Sequence, residues 1–477
     1  MPCHERAAVA ARDEPAHVLG RGSAHVVAAR GVAVKVLFVT QTAAVRGGVE
    51  RWLANLCTGL IASGVDVVLA YVDGPVFHDA QAYLTAFPEL EAVPHVIVRS
   101  PSGTARGRLR ALEQALKTLR PDIVVPVLVH ETLAATQARK AAGDNIRLVY
   151  PLHENEVWAF EAVARNADAI DAIVSVNLLM LQALQAWADW PADRCHHIRA
   201  GVAVPLPTPH TPHKPLYSER LVIGYCGKLV ESQKRAGDLI GFCRQLDIEM
   251  PGYELRIAGE GHLQPMLEKE LANHVRDGRV RFVGTLEPAL LHNDFYPSLD
   301  VLLITSDWET GPLVAWEAMM HGAAILTTAY RGLRSEGLLR HGDNALVFPI
   351  GQPEAAATML ARAHGAGQLA RIGEQGRITA HAELTLDLMT TRWIAALQAI
   401  QSLPAKPAPA DFESHAMSIT QWLHDLVRGA LNRPLAGADA HEEWPRYNPG
   451  RTDPRDRAAF SARLDLLEAD PEMAPHA

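Results

Sequence analysis

Two glutamates, Glu309 and Glu317, stand with seven residues between them in the stretch Ser306-Asp307-Trp308-Glu309-Thr310-Gly311-Pro312-Leu313-Val314-Ala315-Trp316-Glu317. The apolar run Asp300-Val301-Leu302-Leu303-Ile304 comes just before and predicts a buried parallel strand. Pro312 suits the first turn of a helix, where its fixed φ is helical and its missing N–H is no loss. Glu309 would then lie on the loop at the carboxyl end of a strand, and Glu317 about one and a half turns into the helix. The unpaired N–H groups at the start of that helix would face the crevice where open α/β sheets bind ligands, and they favour an anion such as a diphosphate. A carboxylate can accept two O–H bonds at once, which suits a polyhydroxyl group. Diphosphate and hydroxyls together describe a sugar nucleotide. Spacing alone does not carry this reading, because Glu260 and Glu268 share it. The strand, loop and helix around Glu309 and Glu317 carry it.

Such a loop needs a sheet on each side to hold it, and the chain has the material. Its 477 residues are 48% hydrophobic and 21% charged, enough for two large domains with normal cores. The net charge of −9 and the sequence pI near 6.2 exclude a dedicated nucleic-acid binder, so no nucleic-acid partner is expected. The five cysteines (Cys3, Cys57, Cys195, Cys226 and Cys243) are widely spaced and form no C-x-x-C pair. That pattern points to a reducing, cytoplasmic compartment without disulfides or structural zinc. None of the 22 histidines belongs to an H-E-x-x-H motif. No apolar run reaches the length of a membrane span, and the first 30 residues lack the apolar core of a signal peptide.

Residues 1–33 read as a poorly ordered extension. Strands are expected at Val34–Thr40, Val65–Val72, His95–Arg99, Asp122–Val129, Ile146–Leu152 and Asp171–Val176, separated by helical patterns, which makes 34–202 a parallel α/β domain. A proline-rich linker, 203–219, follows. A second series, Leu221–Cys226, Tyr253–Ala258, Val280–Val283, Asp300–Thr305, Ala324–Thr328 and Ala345–Phe348, makes 220–384 another such domain. A closing helix with Thr385 as N-cap occupies 385–402. Residues 403–477 are a linker and a partly helical tail, with an amphipathic segment at Ile419–Leu431.

With these elements in place, several motifs in order resemble retaining GT-B glycosyltransferases of family 4. They are Gly47-Gly48, Gly227-Lys228-Leu229 with Lys234, Ala258-Gly259-Glu260-Gly261, Phe282-Val283-Gly284, the Glu309…Glu317 pair, and Glu336 before Gly342-Asp343-Asn344. The resemblance spans roughly residues 34–400. It implies two Rossmann-like doubly wound α/β domains facing across a cleft, with the final helix returning to the first. It further implies a cytoplasmic enzyme that moves a sugar from a nucleotide-sugar donor to a glycan or lipid-linked acceptor, in polysaccharide or glycolipid biosynthesis, with retention of configuration. Glu317 would hold the ribose and Glu309 the transferred sugar. Backbone at Gly311 and Leu313 would face the phosphate, Val283 the base, and Gly47 and Gly48 would allow close approach to the donor. Lys228 and Lys234 would neutralise the leaving diphosphate, so that no metal or other cofactor is required. The family commonly has Arg where Lys228 stands, and Lys keeps the charge without the bidentate fork. Arg235 replaces a common glycine and would supplement or displace Lys234. His153 would touch the donor sugar, and His130 and Glu131 would line the acceptor side. Ala200-Gly201-Val202 replaces a frequent Asn-Gly-Val, a change of turn chemistry. No side-chain nucleophile stands out, and the acceptor proton would pass to the leaving phosphate oxygen. A nucleotide-sugar 2-epimerase and a non-catalytic scaffold share the architecture and remain alternatives.

Residues 105–120 combine a leucine stripe (Leu109, Leu112, Leu116, Leu119) with Arg106, Arg108, Arg110, Lys117 and Arg120. They read first as a surface helix packing its leucines on the sheet, and second as a dock for anionic lipid on the inner face of a membrane.

Overall fold

The computed structural model describes residues 34–40, 47–73, 79–100, 105–205, 220–409 and 454–469. The extension 1–33, most of the proline-rich linker and the segment Ile419–Leu431 lie outside the described residues.

The first sheet is built from β1 (Lys35–Thr40), β2 (Asp66–Asp73), β3 (His95–Arg99), β4 (Ile123–Val127), β5 (Arg147–Leu152), β6 (Ala172–Ser175) and β7 (Cys195–His197). Every pairing is parallel and the strand order is β3-β2-β1-β4-β5-β6-β7. The second sheet contains β8 (Leu221–Cys226), β9 (Tyr253–Ala258), β10 (Val280–Gly284), β11 (Val301–Ile304), β12 (Ala324–Thr328) and β13 (Ala345–Phe348), in the order β10-β9-β8-β11-β12-β13. The central strands are buried from end to end, as in β4 and β5, because helices cover both faces of a parallel sheet. This is the doubly wound α/β architecture, present twice. The short strand β7 carried no sequence signal: its Cys-His-His has no apolar run and all three residues are half-buried.

The strand order reverses between β1 and β4 in one sheet and between β8 and β11 in the other. The loops leaving adjacent strands at such a point part to opposite faces and open a crevice at the carboxyl edge. Both crevices carry residues singled out above. Gly47-Gly48 follows β1 and His130 follows β4. Lys228 follows β8 and Glu309 follows β11.

Two stretches of chain cross between the domains. Val202 N–H donates to the Leu384 carbonyl (2.8 Å), so the outgoing and returning strands of chain run side by side. The helix Leu386–Ser402, capped by the Thr385 hydroxyl on Leu388 N–H, then buries Met389, Trp393, Leu397 and Ile400 in the first domain's core, with Trp393 against Phe38 and Trp52. A second bridge is the helix Pro454–Ala469. Phe460 and Leu464 enter the first domain's core, with Phe460 against Phe160 and Trp187. The same helix reaches the second domain: Asp465 pairs with Arg331 (2.6 Å), and the Glu468 carboxylate accepts from Gly332 N–H (2.9 Å) and Ser335 N–H (3.0 Å).

The basic segment forms the helix Ala105–Leu119. Its Leu109, Leu112 and Leu116 are buried in the first domain's core, and Arg108 is buried in an ion pair with Glu131. The leucine face is therefore committed to the sheet and cannot insert into lipid. Among the described residues no helix is long and apolar enough to cross a membrane.

Phe460→Ala should destabilise the protein by about 3 kcal/mol, the usual cost of deleting a buried phenyl ring. Chemical denaturation followed by intrinsic fluorescence reads it. A loss below about 1 kcal/mol would mean that the helix Pro454–Ala469 does not dock as described.

Candidate active site

Glu309 is only 5% exposed, an unusual position for a carboxylate on a loop. Its Oε1 accepts from Lys234 Nζ (2.6 Å) and from the Ser306 hydroxyl (2.6 Å). Ser306 is held by its own carbonyl, which accepts from Thr328 Oγ1 (2.6 Å), and the Lys234 loop is held by Thr305 Oγ1 on the Lys234 carbonyl (2.6 Å). A buried carboxylate persists where a cation and hydrogen bonds offset its lost hydration. Only Oε1 is engaged in this way. Oε2 has no hydrogen-bond partner among the described residues. Arg235 does not displace Lys234: its guanidinium is bound to Asp238 (2.9 Å) and lies 3.5 Å from Asp307.

Past Glu309 the backbone turns at Gly311, whose φ of +111° strains any residue with a side chain. Pro312 caps the helix Leu313–Met320. Glu317 lies on the side of this helix facing Tyr296 and His292. The Tyr296 hydroxyl donates to Oε2 (2.6 Å), and His292 Nε2 lies 3.6 Å from Oε1. Burial, reinforced by the charges of Cys226 and Glu317, pushes the Tyr296 phenol well above its ordinary range, so it stays a donor. Val283, at the end of β10, packs half-buried against the same core.

The facing wall comes from the first domain. His153 closes β5, and its carbonyl accepts from Thr310 Oγ1 (2.6 Å). Two residues on, Asn155 Nδ2 donates to the Glu309 carbonyl (3.1 Å). The His153 loop is thus bonded to the loop that carries Glu309. The His153 ring stands edge-on to Trp52, and its Nε2 has no hydrogen-bond partner among the described residues. Burial pushes its pKa down to about 3, so the imidazole is neutral at any ordinary pH. Below this junction Asn177 Nδ2 reaches the Gly332 carbonyl and Glu336 Oε2 (both 3.3 Å), and Arg199 pairs with Glu336. Gly48 begins the helix Gly48–Ala62 across from the second domain, where a Cβ would lie 3.8 Å from Leu313 Cδ1. At Gly47 a Cβ would meet Glu50 Oε2 at 2.2 Å, because the Glu50 carboxylate folds back over the start of its own helix.

Lys228 is exposed, and its charge lowers the pKa of two first-domain carboxyls, Glu50 and Glu154, against the larger effect of burial. Glu154 is the more perturbed. Burial, joined by the charge of Glu156, lifts it to about 7. It lines a small pocket at the carboxyl ends of β4 and β5 with His130, Tyr150, His153 and Trp158. The His130 ring stands edge-on to Trp158. Glu131 does not share in this pocket. Burial would raise its carboxyl, but the Arg108 guanidinium overrides that and holds it below the usual range. Of the acceptor-side pair, His130 faces the pocket, whereas Glu131 is tied to Arg108.

Of the residues the sequence points to, Lys234 pairs with Glu309, the His153 loop is bonded to the Glu309 loop, Lys228 lies exposed after β8, and Glu317 is held by Tyr296. Sequence reasoning missed Tyr296, Asn155, Thr310 and Glu154. Glu154 alone left a trace, as a second carboxylate beside the strand-end His153. The others act through contacts between distant segments.

Two family models match the chain, "Glycosyltransferase Family 4" over residues 46–204 and "Glycosyl transferases group 1" over residues 220–364. A lipopolysaccharide core biosynthesis glycosyltransferase from Rhizobium meliloti is 27% identical over 162 residues, 33% of this chain and 44% of that protein, so the chain spans less than half the length of this relative. Glycogen synthase from Mycobacterium tuberculosis is 26% identical over 323 residues, 60% of this chain and 75% of the relative. Among solved structures, Anabaena HepE with UDP and glucose superposes with a TM-score of 0.61 at 17% identity, covering 77% of this chain and 100% of that one. Sucrose-phosphate synthase from Thermosynechococcus elongatus superposes with a TM-score of 0.62 at 14% identity, covering 76% and 98%. Likeness at these identities shows the shared fold.

Gly332 tests the junction between the domains. Its φ is +101°, and a Cβ there would lie 2.7 Å from the Glu309 carbonyl and 3.0 Å from Asn155 Nδ2. Gly322, at φ +80°, has nothing within 4 Å of its Cβ position. Gly322→Ala should cost about 1 kcal/mol from backbone strain alone, and Gly332→Ala about 2–3 kcal/mol. Equal losses in thermal denaturation would show that the domains do not meet at Gly332.

Proposed function

We propose that this chain of GT-B architecture is a glycosyltransferase that transfers a sugar from a nucleotide diphosphate sugar to an acceptor hydroxyl, with retention of anomeric configuration, as a family 4 enzyme. The observation that carries the reading is the buried Glu309, half-satisfied by Lys234 and Ser306, on a loop bonded to the His153 loop of the other domain.

On this reading the ribose hydroxyls donate to Glu317, whose carboxylate Tyr296 holds in place. The base lies by Val283. The transferred sugar lies between Glu309 Oε2 and the neutral His153 ring, with the glycine backbone at Gly47 and Gly48 allowing close approach. The diphosphate lies over Gly311 and the start of the helix Leu313–Met320, where backbone N–H groups favour an anion. Lys228 and Lys234 meet the negative charge that develops on the leaving phosphate, and no metal is needed. Preorganised charge of this kind is typically worth about 3 kcal/mol of barrier for each donor removed. The Lys234–Glu309 pair, buried at the glutamate and half-buried at the lysine, keeps both groups fixed before the donor arrives, so little reorganisation is needed at the moment of reaction. Closure of the cleft excludes water.

A uridine nucleotide is the first donor class to test, because Anabaena HepE was solved with UDP and with UDP-glucose. The likeness to the lipopolysaccharide core enzyme supports a glycan or lipid-linked acceptor in cell-envelope biosynthesis.

A thermal-shift panel of UDP-, GDP-, ADP- and dTDP-glucose tests the donor site. One nucleotide class should stabilise the protein, by about 2.7 kcal/mol at a hundred times its Kd. Glu317→Ala should abolish the shift, and Tyr296→Phe should weaken binding roughly fivefold, the worth of one hydrogen bond. No response to any nucleotide sugar would reject the reading. Conversion of the donor to a new free nucleotide sugar without an acceptor would identify an epimerase instead.

A further inference from the structure

The backbone of Glu309 is held by a loop that has no place in the donor site described above. Glu309 N–H donates to the Arg331 carbonyl (3.2 Å), and Arg331 N–H donates to the Asp307 carbonyl (2.9 Å). The two segments run side by side there, as a short parallel bridge between Trp308 and Arg331. The next residue, Gly332, packs so closely that a Cβ on it would lie 2.7 Å from the Glu309 carbonyl. The position of the Gly332 turn therefore decides the position of Glu309.

That turn has no cap of its own. Gly332 opens the one-turn helix Leu333–Glu336 with φ +101°, and no side chain of its own accepts from the free N–H groups at that end. From the first domain Asn177 Nδ2 reaches the Gly332 carbonyl (3.3 Å), which leaves the N–H side open. The acceptor comes from the far end of the chain. Glu468 Oε2 accepts from Gly332 N–H (2.9 Å) and Oε1 from Ser335 N–H (3.0 Å), so one carboxylate serves two backbone donors. Such bonds, with an ionised acceptor, are roughly twice as strong as neutral ones. Three residues earlier Asp465 accepts from the Arg331 guanidinium on both oxygens (2.6 and 3.1 Å). The helix Pro454–Ala469 that carries both carboxylates is anchored on the other domain: Leu464 is fully buried in its core, and the Arg463 guanidinium lies 4.0 Å over the Trp187 ring. An element seated on the first domain thus fixes a loop of the second.

Resting on the donor-site reading above, we propose that Glu468 is a positioning residue for the transferred sugar: it holds the Gly332 turn and, through it, the backbone of Glu309. The ribose side is held separately, by the Tyr296 hydroxyl on Glu317, within the second domain. Loss of the Glu468 carboxylate should therefore loosen the grip on the sugar and spare the grip on the nucleotide.

Calorimetric titration with two probes reads this split. One is the nucleotide glucose that stabilises the wild type; the other is its nucleoside diphosphate, which lacks the sugar. Glu468→Ala should bind the nucleoside diphosphate as tightly as the wild type does, and the nucleotide glucose about tenfold more weakly, the worth of one hydrogen bond to a charged group. Glu468→Gln keeps one acceptor oxygen and should fall between the two. A Glu468→Ala protein that binds the nucleotide glucose as tightly as the wild type would overturn the proposal. Equal weakening of both probes would overturn it as well, because Glu468 would then hold the fold and not the sugar-side loop. A wild type that binds no nucleotide glucose would instead sink the donor-site reading on which it rests.

Discussion

Two hydrogen bonds hold the candidate site together: Thr310 Oγ1 on the His153 carbonyl, and Asn155 Nδ2 on the Glu309 carbonyl. Each joins the loop after β5 of one domain to the loop after β11 of the other. Both loops leave the carboxyl ends of parallel strands, so the strands set their positions and the bonds set their separation. Glu309, His153 and the turn at Gly311 then share one small volume. Neither domain alone offers both walls. The helices Leu386–Ser402 and Pro454–Ala469 support the same junction from outside, by packing on the first domain and, for the latter, by capping the backbone at Gly332 and Ser335.

Electrostatics in the cleft follow from burial set against partner charge. Glu309 gains Lys234, Glu131 gains Arg108, and Glu336 gains Arg199. Glu154 lies closer to a like charge, Glu156, and sees Lys228 across the cleft, so burial prevails and the group is left near neutrality. A carboxylate stabilised in this uneven way weakens the fold at high pH. Its folded pKa is above its unfolded value, so the stability it contributes is full below about pH 4.5, the ordinary glutamate value, and is lost as pH rises through about 7. Such a cost is expected at a working site rather than in a core.

Much of the fold was legible because buried parallel strands announce themselves. Runs such as Val-Leu-Phe-Val in β1 and Val-Leu-Leu-Ile in β11 are apolar and rich in β-branched residues, and turn residues bound them. The strand β7 was not legible, because its three residues lie at a sheet edge and bury little. Glu309 and Glu317 were legible from Pro312 and the strand before them. Tyr296 was not, since its link to Glu317 joins segments that only the tertiary fold brings together. The leucines of Ala105–Leu119 fit either a sheet or a membrane by periodicity alone. The buried side chains of Leu109, Leu112 and Leu116 settle that face in favour of the sheet. The pKa of Glu154 depends on burial and on a neighbouring domain, neither of which a local motif encodes.

The central claim is that one cleft between the two sheets holds a nucleotide sugar against Glu309 and Glu317. A crystal structure of the complex with the stabilising nucleotide tests it most directly. The ribose hydroxyls should lie within about 3 Å of the Glu317 carboxylate, with the diphosphate between Lys228, Lys234 and the backbone N–H groups at Leu313. A nucleotide bound outside this cleft, or bound with Glu317 and both lysines out of reach, would contradict the account.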